Sequence, residues 1–353
     1  MRTALTRLVG VRYPIVQTGM GWVAGPRLVS AVASAGGLGI LASATMSLPE
    51  LRSAVREVRS RTGAPFGVNL RADAGDAASR ARLLIDEGVR VASFALAPSP
   101  SLIATLKDAG VVVIPSVGAV RHAVKVAGWG ADAVIVQGGE GGGHTGDVAT
   151  TLLLPSVVDA VDIPVVAAGG FFDGRGLVAA LAYGAAGVAM GTRFLLTAES
   201  TVPAAVKEAY LAHGLDGTVV TTRVDGLPHR VLRTELVASL ESSRLRGLAS
   251  AVRNAARFRR RTGLTWPALL RDGHALRRGR SLSWAQVLMA ANTPMLLRAG
   301  LVEGRTDTGV LAAGQVVGAI DDLPTCAELV DRIMKEADDI VAHLPRESNV
   351  PEG

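Results

Sequence analysis

The sequence predicts an α/β protein built on a closed TIM (β/α)8 barrel. Short apolar or β-branched segments alternate with amphipathic segments that are long enough to form helices, and continuous apolar strands joined by helices are typical of a parallel sheet covered on both faces. Eight strand segments within about 200 residues favour a closed barrel over an open sheet, because their number and spacing match the repeat of that fold. Polar and glycine-rich segments follow the strands, where a barrel carries its functional groups.

The eight predicted strands are short runs of Val, Ile, Leu, Ala and Phe, bounded by glycine or polar residues. In chain order they occupy residues 15–17, 39–41, 66–69, 91–94, 111–114, 133–137, 164–168 and 187–190. Several of the segments between them carry apolar residues at helical spacing, and we expect crossover helices there. These helices are predicted at 48–62, 76–87, 100–109, 120–128 and 177–183.

Beyond residue 212 the alternation of strands and helices breaks down. The segment 213–303 contains Trp266 and Trp284 and is rich in arginine, and we interpret it as an inserted helical subdomain that acts as a lid or substrate domain. The chain then returns to the barrel through the apolar stretch 309–318 and ends with an amphipathic helix at 326–343. The predicted organisation is a barrel over 1–212, an inserted subdomain over 213–303, and a return with a C-terminal helix over 304–353.

The composition excludes several classes of protein. Of the 353 residues, 49% are hydrophobic and 19% are charged, which excludes a disordered or fibrous chain. The apolar runs are far shorter than the ~20 residues of a membrane span, and no secretory signal is recognised, so we expect no membrane partner. The single cysteine, Cys326, provides no disulfide framework and fits a cytoplasmic location.

The net charge of +6 is concentrated in one segment. Between residues 244 and 280 there are eleven arginines and a single acidic residue, Asp272. This pattern suits a phosphorylated small molecule at least as well as a nucleic acid. We expect no nucleic-acid partner, because the aromatic residues that stack on bases make up only 4% of the chain.

The segment after the sixth predicted strand carries the strongest functional signal. It reads Gln-Gly-Gly-Glu-Gly-Gly-Gly-His-Thr-Gly over residues 137–146, and its glycines allow a flat ligand to lie against the backbone. We predict that His144 is a general acid or base and that Glu140 orients either the loop or the imidazole. Asn69 and Gln137 end their strands with amide groups, which suit the edge of a heterocycle or simply cap the strands.

Two further glycine loops follow the seventh and eighth strands. Residues 169–176 and 191–193 place backbone N–H groups where barrels commonly bind a phosphate, with a helix N-terminus near Gly174. The alternative is that these glycines only permit tight turns, and we expect Asp173 to be the N-cap of the following helix. The six histidines are scattered without the spacing of metal ligands, so no metal site is predicted.

Together these motifs resemble the FMN-dependent nitronate monooxygenase family and its relative, the flavin-dependent enoyl-acyl carrier protein reductase. The resemblance covers roughly residues 14–200 and 309–333, and the segment 137–146 departs from the family pattern only at Gly141, where the family has alanine. It implies an FMN cofactor, with His144 assisting proton transfer. The residues that it implies for FMN binding are Met20, Gly21, Asn69, Gln137, Gly142, Gly143, Gly169, Gly170, Gly191, Thr192 and Gln315.

Within this family the chain looks most like a subgroup of actinobacterial steroid degradation. The segments 17–25, 169–176 and 221–226 carry that likeness, together with the arginine-rich segment. It implies hydride transfer between the flavin and an enoyl- or dienoyl-type acyl-CoA, here a hydroxylated methyl-oxo-hexahydroindane-carboxyl-CoA from cholesterol degradation. In this interpretation Arg257, Arg259 and Arg260 bind the phosphates of coenzyme A, and NADH or NADPH is an optional co-substrate. The alternative is that the arginines form a solvated helix face.

Other functions stay open at this point. A nitronate monooxygenase that oxidises nitronates with O2 suits the barrel but leaves the basic segment without a role. An enzyme like inosine-monophosphate dehydrogenase would need a catalytic cysteine after the sixth strand, and that segment has none. A polyanion-binding protein would show steep salt dependence and no flavin colour. The sequence leaves the direction of the redox reaction open, and it is compatible with a homo-oligomer.

Overall fold

The computed structural model describes residues 1–242 and 284–344 of the chain. Its centre is a closed barrel of eight parallel strands, as predicted. In chain order these are β1 (Ile15–Gln17), β2 (Leu38–Ala42), β3 (Gly67–Leu70), β4 (Val91–Phe94), β5 (Val112–Val117), β6 (Val134–Gln137), β8 (Val165–Ala168) and β9 (Gly187–Met190). The short strand β7 (Gly143–His144) belongs to a separate sheet. Each predicted strand overlaps one of them, because short apolar runs bounded by glycine or polar residues are too short to form helices.

The barrel closes through the pairing of its first and last strands. Strand β1 pairs in parallel with both β2 and β9, and the register with β9 places Val16 opposite Ala189. Strand β6 pairs directly with β8, so the glycine loop between them does not interrupt the barrel wall. Because all eight strands run in the same direction, the loops at their carboxyl ends meet at one face of the barrel.

Helices surround the barrel, and several begin with clear sequence signals. Ser47 and Thr325 form capping boxes with the glutamate three residues later, and Asp173 accepts a hydrogen bond from the N–H of Gly176 as an N-cap. The helices are α1 (Ala4–Val9), α2 (Pro26–Ser34), α3 (Leu48–Arg61), α4 (Ala77–Asp86), α5 (Pro100–Asp108), α6 (Val120–Gly128), α7 (Thr150–Val158), α8 (Gly174–Ala182), α9 (Thr192–Leu195), α10 (Ala204–Leu211), α11 (Glu235–Ser242), α12 (Trp284–Leu301) and α13 (Cys326–His343), with a 3-10 helix over Gln315–Ala319. No helix in the described part of the chain has the length and apolar character needed to cross a membrane.

A small antiparallel sheet lies beside the glycine loop, and the sequence analysis did not predict it. Strands β10 (Thr218–Thr221) and β11 (His229–Leu232) form a hairpin, and β11 also pairs with the two-residue strand β7 (Gly143–His144). The interpretation of 213–303 as helical is therefore wrong at its start, although α11 and α12 are helices. The β-branched run at 218–221 favours a strand, but four residues are too few to outweigh the helical pattern that follows.

The interior of the barrel is filled, and its amino-terminal end is closed. Leu5 and Val9 of α1 are buried against apolar strand residues of the interior. The hydroxyl of Thr3 donates a hydrogen bond to the carbonyl of Ala186, just before β9, which fixes α1 at that end. The carboxyl ends of the strands are therefore the accessible opening of the barrel.

Candidate active site

A cavity opens at the carboxyl ends of the barrel strands. Its volume is about 390 Å3, within the roughly 300–1,000 Å3 that is typical of small-molecule sites. Ile40, Ile135 and Ala168 contribute an apolar floor from the barrel strands, and Leu297 and Leu301 of α12 contribute an apolar wall. The cavity is thus shaped both by the barrel and by the helix that follows the arginine-rich segment.

Most of the site residues predicted from the sequence line this cavity. They are Met20, Gly21, Asn69, Gln137, Gly142, Gly143, His144, Gly169, Gly170, Gly191 and Thr192. Gln315 does not line it, because this residue begins the 3-10 helix and its side chain is exposed, while its neighbours Gly314 and Val316 face the cavity. Arg257, Arg259 and Arg260 lie outside the described residues.

The glycine loop that carries His144 is fixed by several contacts. The guanidinium of Arg230 donates two hydrogen bonds to the carbonyl of Gly139, at 3.1 and 2.8 Å. Gln137 Nε2 donates to the carbonyl of His144 at 2.8 Å. A β-carbon on Gly141 would lie only 2.5 Å from that amide nitrogen, so glycine at this position leaves room for the amide of Gln137 to hold the loop.

Glu140 orients the loop, and the imidazole of His144 has a different partner. The carboxylate of Glu140 accepts hydrogen bonds from the backbone N–H of Thr150, at 3.0 and 3.1 Å, and lies 2.6 Å from the Thr150 hydroxyl. This contact places a negative charge at the N-terminus of α7, where the helix dipole favours it. Of the two roles predicted for Glu140, the structure supports the one in the loop.

The loops after β8 and β9 present backbone to the cavity. Gly169 and Gly170 have φ values of +92° and +88°, a left-handed conformation that favours glycine, and Gly191 precedes the short helix α9. The predicted helix N-terminus at Gly174 lies elsewhere. The N–H of Gly174 donates to the Glu336 carboxylate at 2.7 Å, so a carboxylate of the protein itself occupies that helix end.

A carboxylate and a second histidine accompany His144. Asp225 Oδ2 lies 2.5 Å from His144 Nε2 and 3.5 Å from His229 Nδ1. The two imidazole rings are 4.6 Å apart between centroids. This cluster forms because His144 of β7 and His229 of β11 face each other in the antiparallel register, while Asp225 lies in the turn of the hairpin.

The electrostatics of this cluster favour a charged carboxylate. Asp225 is buried, and burial by itself would raise the pKa of the carboxyl group. The hydrogen bond with His144 and the proximity of His229 outweigh that effect and hold the pKa of Asp225 well below its usual range. Asp225 is therefore a fixed anion next to the histidine predicted to handle protons.

The same three residues are of the types that bind metal ions, but their spacing indicates a hydrogen bond. Tetrahedral zinc ligands at about 2.1 Å from the metal lie roughly 3.4 Å apart, whereas His144 Nε2 and Asp225 Oδ2 are separated by 2.5 Å. Sequence reasoning missed Asp225 and His229. The strand signal at 218–221 could have found them, since a hairpin there brings 229 beside the glycine loop.

Comparisons with known proteins show which family this chain resembles. Residues 2–336 match the family model for nitronate monooxygenase. The chain is 68% identical to a protein of Mycobacterium tuberculosis named (3aS,4S,5R,7aS)-5-hydroxy-7a-methyl-1-oxo-octahydro-1H-indene-4-carboxyl-CoA dehydrogenase, over 100% of the chain and 99% of that protein. It is 69% identical to a protein of the same name from Rhodococcus jostii, over 96% of each. The structure of FabK from Thermotoga maritima is similar with a TM-score of 0.79 at 35% identity, covering 97% of this chain and 98% of FabK.

Proposed function

Because the chain belongs to the nitronate monooxygenase family, a family of flavin enzymes, we propose that it is a flavin-dependent dehydrogenase of a bicyclic carboxyl-CoA thioester. The observation that carries the proposal is the 68% identity to a relative named as a dehydrogenase of such a thioester. That alignment covers the whole chain, so the likeness includes the arginine-rich segment and is not confined to the barrel.

The cavity residues fit FMN as the flavin. Asn69 and Gln137 offer amide groups at strand ends, and Met20 also lines the cavity. Within the described parts of the chain, no hydrogen-bond acceptor pairs with the backbone N–H of Gly170 or Gly191, and such free donors on adjacent strands suit a phosphate. In this proposal Gly142, Gly143, Gly169 and Thr192 complete the contact with the cofactor, as the family resemblance implies, and Gln315 would have to reach it from the rim.

The chemistry of the thioester gives His144 its role. Carbon 4 of the substrate named for the relative carries the thioester carbonyl, so its C–H bond is the acidic one. His144 takes this proton, and the neighbouring ring carbon loses the hydride that completes the double bond. A bound flavin supplies the acceptor for that hydride. The apolar wall formed by Leu297 and Leu301 excludes water and suits the saturated rings.

The rest of the proposal concerns the surroundings of the barrel. The barrel over 1–212 carries the cofactor, and the segment 213–303 covers the substrate, with Arg257, Arg259 and Arg260 on the phosphates of coenzyme A. NADH or NADPH is proposed only as a co-substrate of the reverse reaction. An acyl-CoA substrate is a metabolite of the cytoplasm, and we propose that location for the enzyme.

Anaerobic stopped-flow absorbance tests this function. The purified holoenzyme is mixed with the 5-hydroxy-7a-methyl-1-oxo-octahydroindene-4-carboxyl-CoA thioester, and the flavin band is followed. We expect the thioester to bleach the band without any other reductant. A simple saturated acyl-CoA serves as the control for substrate class, and NADH and NADPH are added in separate experiments.

The other outcomes would overturn the proposal in distinguishable ways. Bleaching only by NADH or NADPH, followed by recovery on addition of an unsaturated thioester, would make the enzyme a reductase. Bleaching only by nitronates would make it a nitronate monooxygenase. A colourless protein that does not bind FMN would remove flavin chemistry altogether.

A further inference from the structure

The hairpin of β10 and β11 brings a second histidine into the cavity wall. His229 is only 2% exposed and lines the cavity. Within the described residues, neither of its ring nitrogens has a hydrogen-bond partner, since the contact with Asp225 Oδ2 at 3.5 Å is too poor for one. A buried polar ring without a partner costs free energy. The ring is therefore available to a ligand that brings a hydrogen-bonding group.

His144 and His229 each turn one ring nitrogen towards Asp225, so the other nitrogen of each ring is available to a ligand. The Oδ2 atom of Asp225 is bound by His144 Nε2 at 2.5 Å, and its Oδ1 atom accepts from the N–H of Leu227 at 3.1 Å. Since Nε2 of His144 faces the carboxylate, Nδ1 is left for the substrate. For His229 the nitrogen nearest the carboxylate is Nδ1, so Nε2 is left on the side of Gly143, where a β-carbon would lie 4.0 Å away.

We propose that Asp225 is a positioning residue for His144, and that His229 is a substrate-binding residue that accepts a hydrogen bond from the substrate hydroxyl through Nε2. The proposal rests on the function proposed above. The hydroxyl is on carbon 5 of the named substrate, next to the acidic carbon 4. Two imidazoles 4.6 Å apart match groups on two neighbouring carbons, one ring for the C–H bond and one for the hydroxyl.

In this reaction the substrate loses one proton and one hydride. The C–H bond at carbon 4 breaks, and its proton moves to Nδ1 of His144. A flavin bound in the cavity would accept the hydride that leaves the adjacent ring carbon, as the carbon–carbon double bond forms between the two carbons. Asp225 stays ionised throughout and stabilises the imidazolium of His144. The hydroxyl hydrogen stays on its oxygen and is held by His229.

Asp225→Asn, with the exposed Asp216→Asn as its matched control, tests the positioning role. We expect Asp225→Asn to lower kcat roughly 10²-fold with little change in KM, and Asp216→Asn to leave both constants unchanged. Protein labelled with ¹⁵N-histidine supplies a readout that needs no substrate. In the holoenzyme, the ring-nitrogen signals of His144 should report a different tautomer in Asp225→Asn. Unchanged kcat, or unchanged ring-nitrogen signals, would overturn this role.

Asp225→Glu covers the case in which Asp225→Asn fails to fold. It retains the charge and moves it by one methylene group, so we expect an intermediate kcat and the wild-type tautomer. A glutamate variant whose kcat falls as far as we expect for Asp225→Asn would mean that a charge at this position does not matter. If the wild type does not oxidise the thioester at all, the proposed function fails, while the nitrogen signals still decide the role of Asp225.

His229→Phe and His229→Gln test the substrate contact. We expect His229→Phe to raise KM about 10- to 100-fold for the hydroxylated thioester and to leave KM unchanged for the analogue that lacks the hydroxyl group. His229→Gln retains an acceptor and should recover part of the loss. His122→Phe, at an exposed position of α6, is the matched control. An equal effect of His229→Phe on both substrates would overturn the assignment.

Discussion

At the scale of single residues, His144 is the group whose removal should separate cofactor binding from catalysis. The loop that carries it is held through the backbone by Gln137 and Arg230, so His144→Ala should still bind FMN. Turnover should fall roughly 10²–10⁴-fold, as expected when a general acid or base is lost. Flavin absorbance and kcat, measured on the same sample, check both parts. Unchanged turnover would remove His144 from the mechanism.

The lowered pKa of Asp225 predicts how the stability of the folded protein changes at acid pH. Burial raises the pKa of Asp225, but the contacts with His144 and His229 lower it more, so the pKa is depressed in the folded protein. The stabilisation is therefore fully present above the unfolded pKa of about 3.9 and is lost as the pH falls towards the folded value. The difference in Tm between wild type and Asp225→Asn should shrink as the pH is lowered below about 4. A difference that grows in acid would contradict this linkage.

The residues differ in how well sequence could predict them, because they differ in how local their contacts are. His144 and Gln137 belong to one glycine-rich segment, and the strand before it determines where they lie. Asp225 is 81 positions away from His144, and only the pairing of β11 with β7 brings them together. For Gln315 the family resemblance implied a position against the flavin. Its side chain is exposed at the start of the 3-10 helix, so its contact with the cofactor stays a prediction.

At the scale of secondary-structure elements, Arg230 joins the hairpin to the glycine loop. It bridges the carbonyl of Gly139 and the hydroxyl of Thr218 with three hydrogen bonds, a geometry that the single ammonium of lysine cannot reproduce. Arg230→Lys should lower the free energy of unfolding by about 1–3 kcal/mol and increase the rate of FMN dissociation. The exposed Arg233→Lys on the same hairpin is the control. Equal FMN dissociation rates in the two variants would contradict this role.

The role proposed for the arginine-rich segment predicts an effect that depends only on the nucleotide part of the substrate. If Arg257, Arg259 and Arg260 bind the phosphates of coenzyme A, their combined replacement by alanine removes charge-assisted hydrogen bonds that the acyl group does not use. KM should rise far more for the CoA thioester than for a truncated thioester without the nucleotide. Steady-state kinetics on both substrates check this, and an equal rise would assign the segment another role.

The strands and helices differ in whether a local sequence pattern is sufficient to predict them. The predicted barrel strands are correct because each is an apolar run that stands between two segments of a different period. The C-terminal helix is predicted to the residue from its amphipathic pattern, and the structure shows that Thr325 and Glu328 form a capping box at its start. The hairpin of β10 and β11 has no such capping motif, and β11 pairs on its other side with β7, a strand that is distant in sequence.

At the scale of the whole molecule, the end of the chain closes the fold. Helix α13 packs against α8 and α2, so the part of the chain after the arginine-rich segment completes the outer layer of the barrel. The contact with α8 is very close at Gly174, whose N–H binds the carboxylate of Glu336. The barrel should therefore be stable only when α13 is present, although the eight strands all precede it.

Gly174 provides a test of this closure, because a β-carbon there would lie 2.6 Å from the backbone nitrogen of Ala337 and 2.7 Å from the carbonyl oxygen of Ile333. Backbone cannot move aside as a flexible side chain would, so Gly174→Ala should destabilise the protein by about 1–3 kcal/mol. Gly128→Ala is the matched control, at the end of α6, where a β-carbon would meet nothing within 4 Å. It should stabilise by about 0.5–1 kcal/mol, since alanine loses less entropy in a helix. Thermal unfolding should therefore shift in opposite directions, and a raised Tm in both variants would mean that α13 does not close the barrel at Gly174.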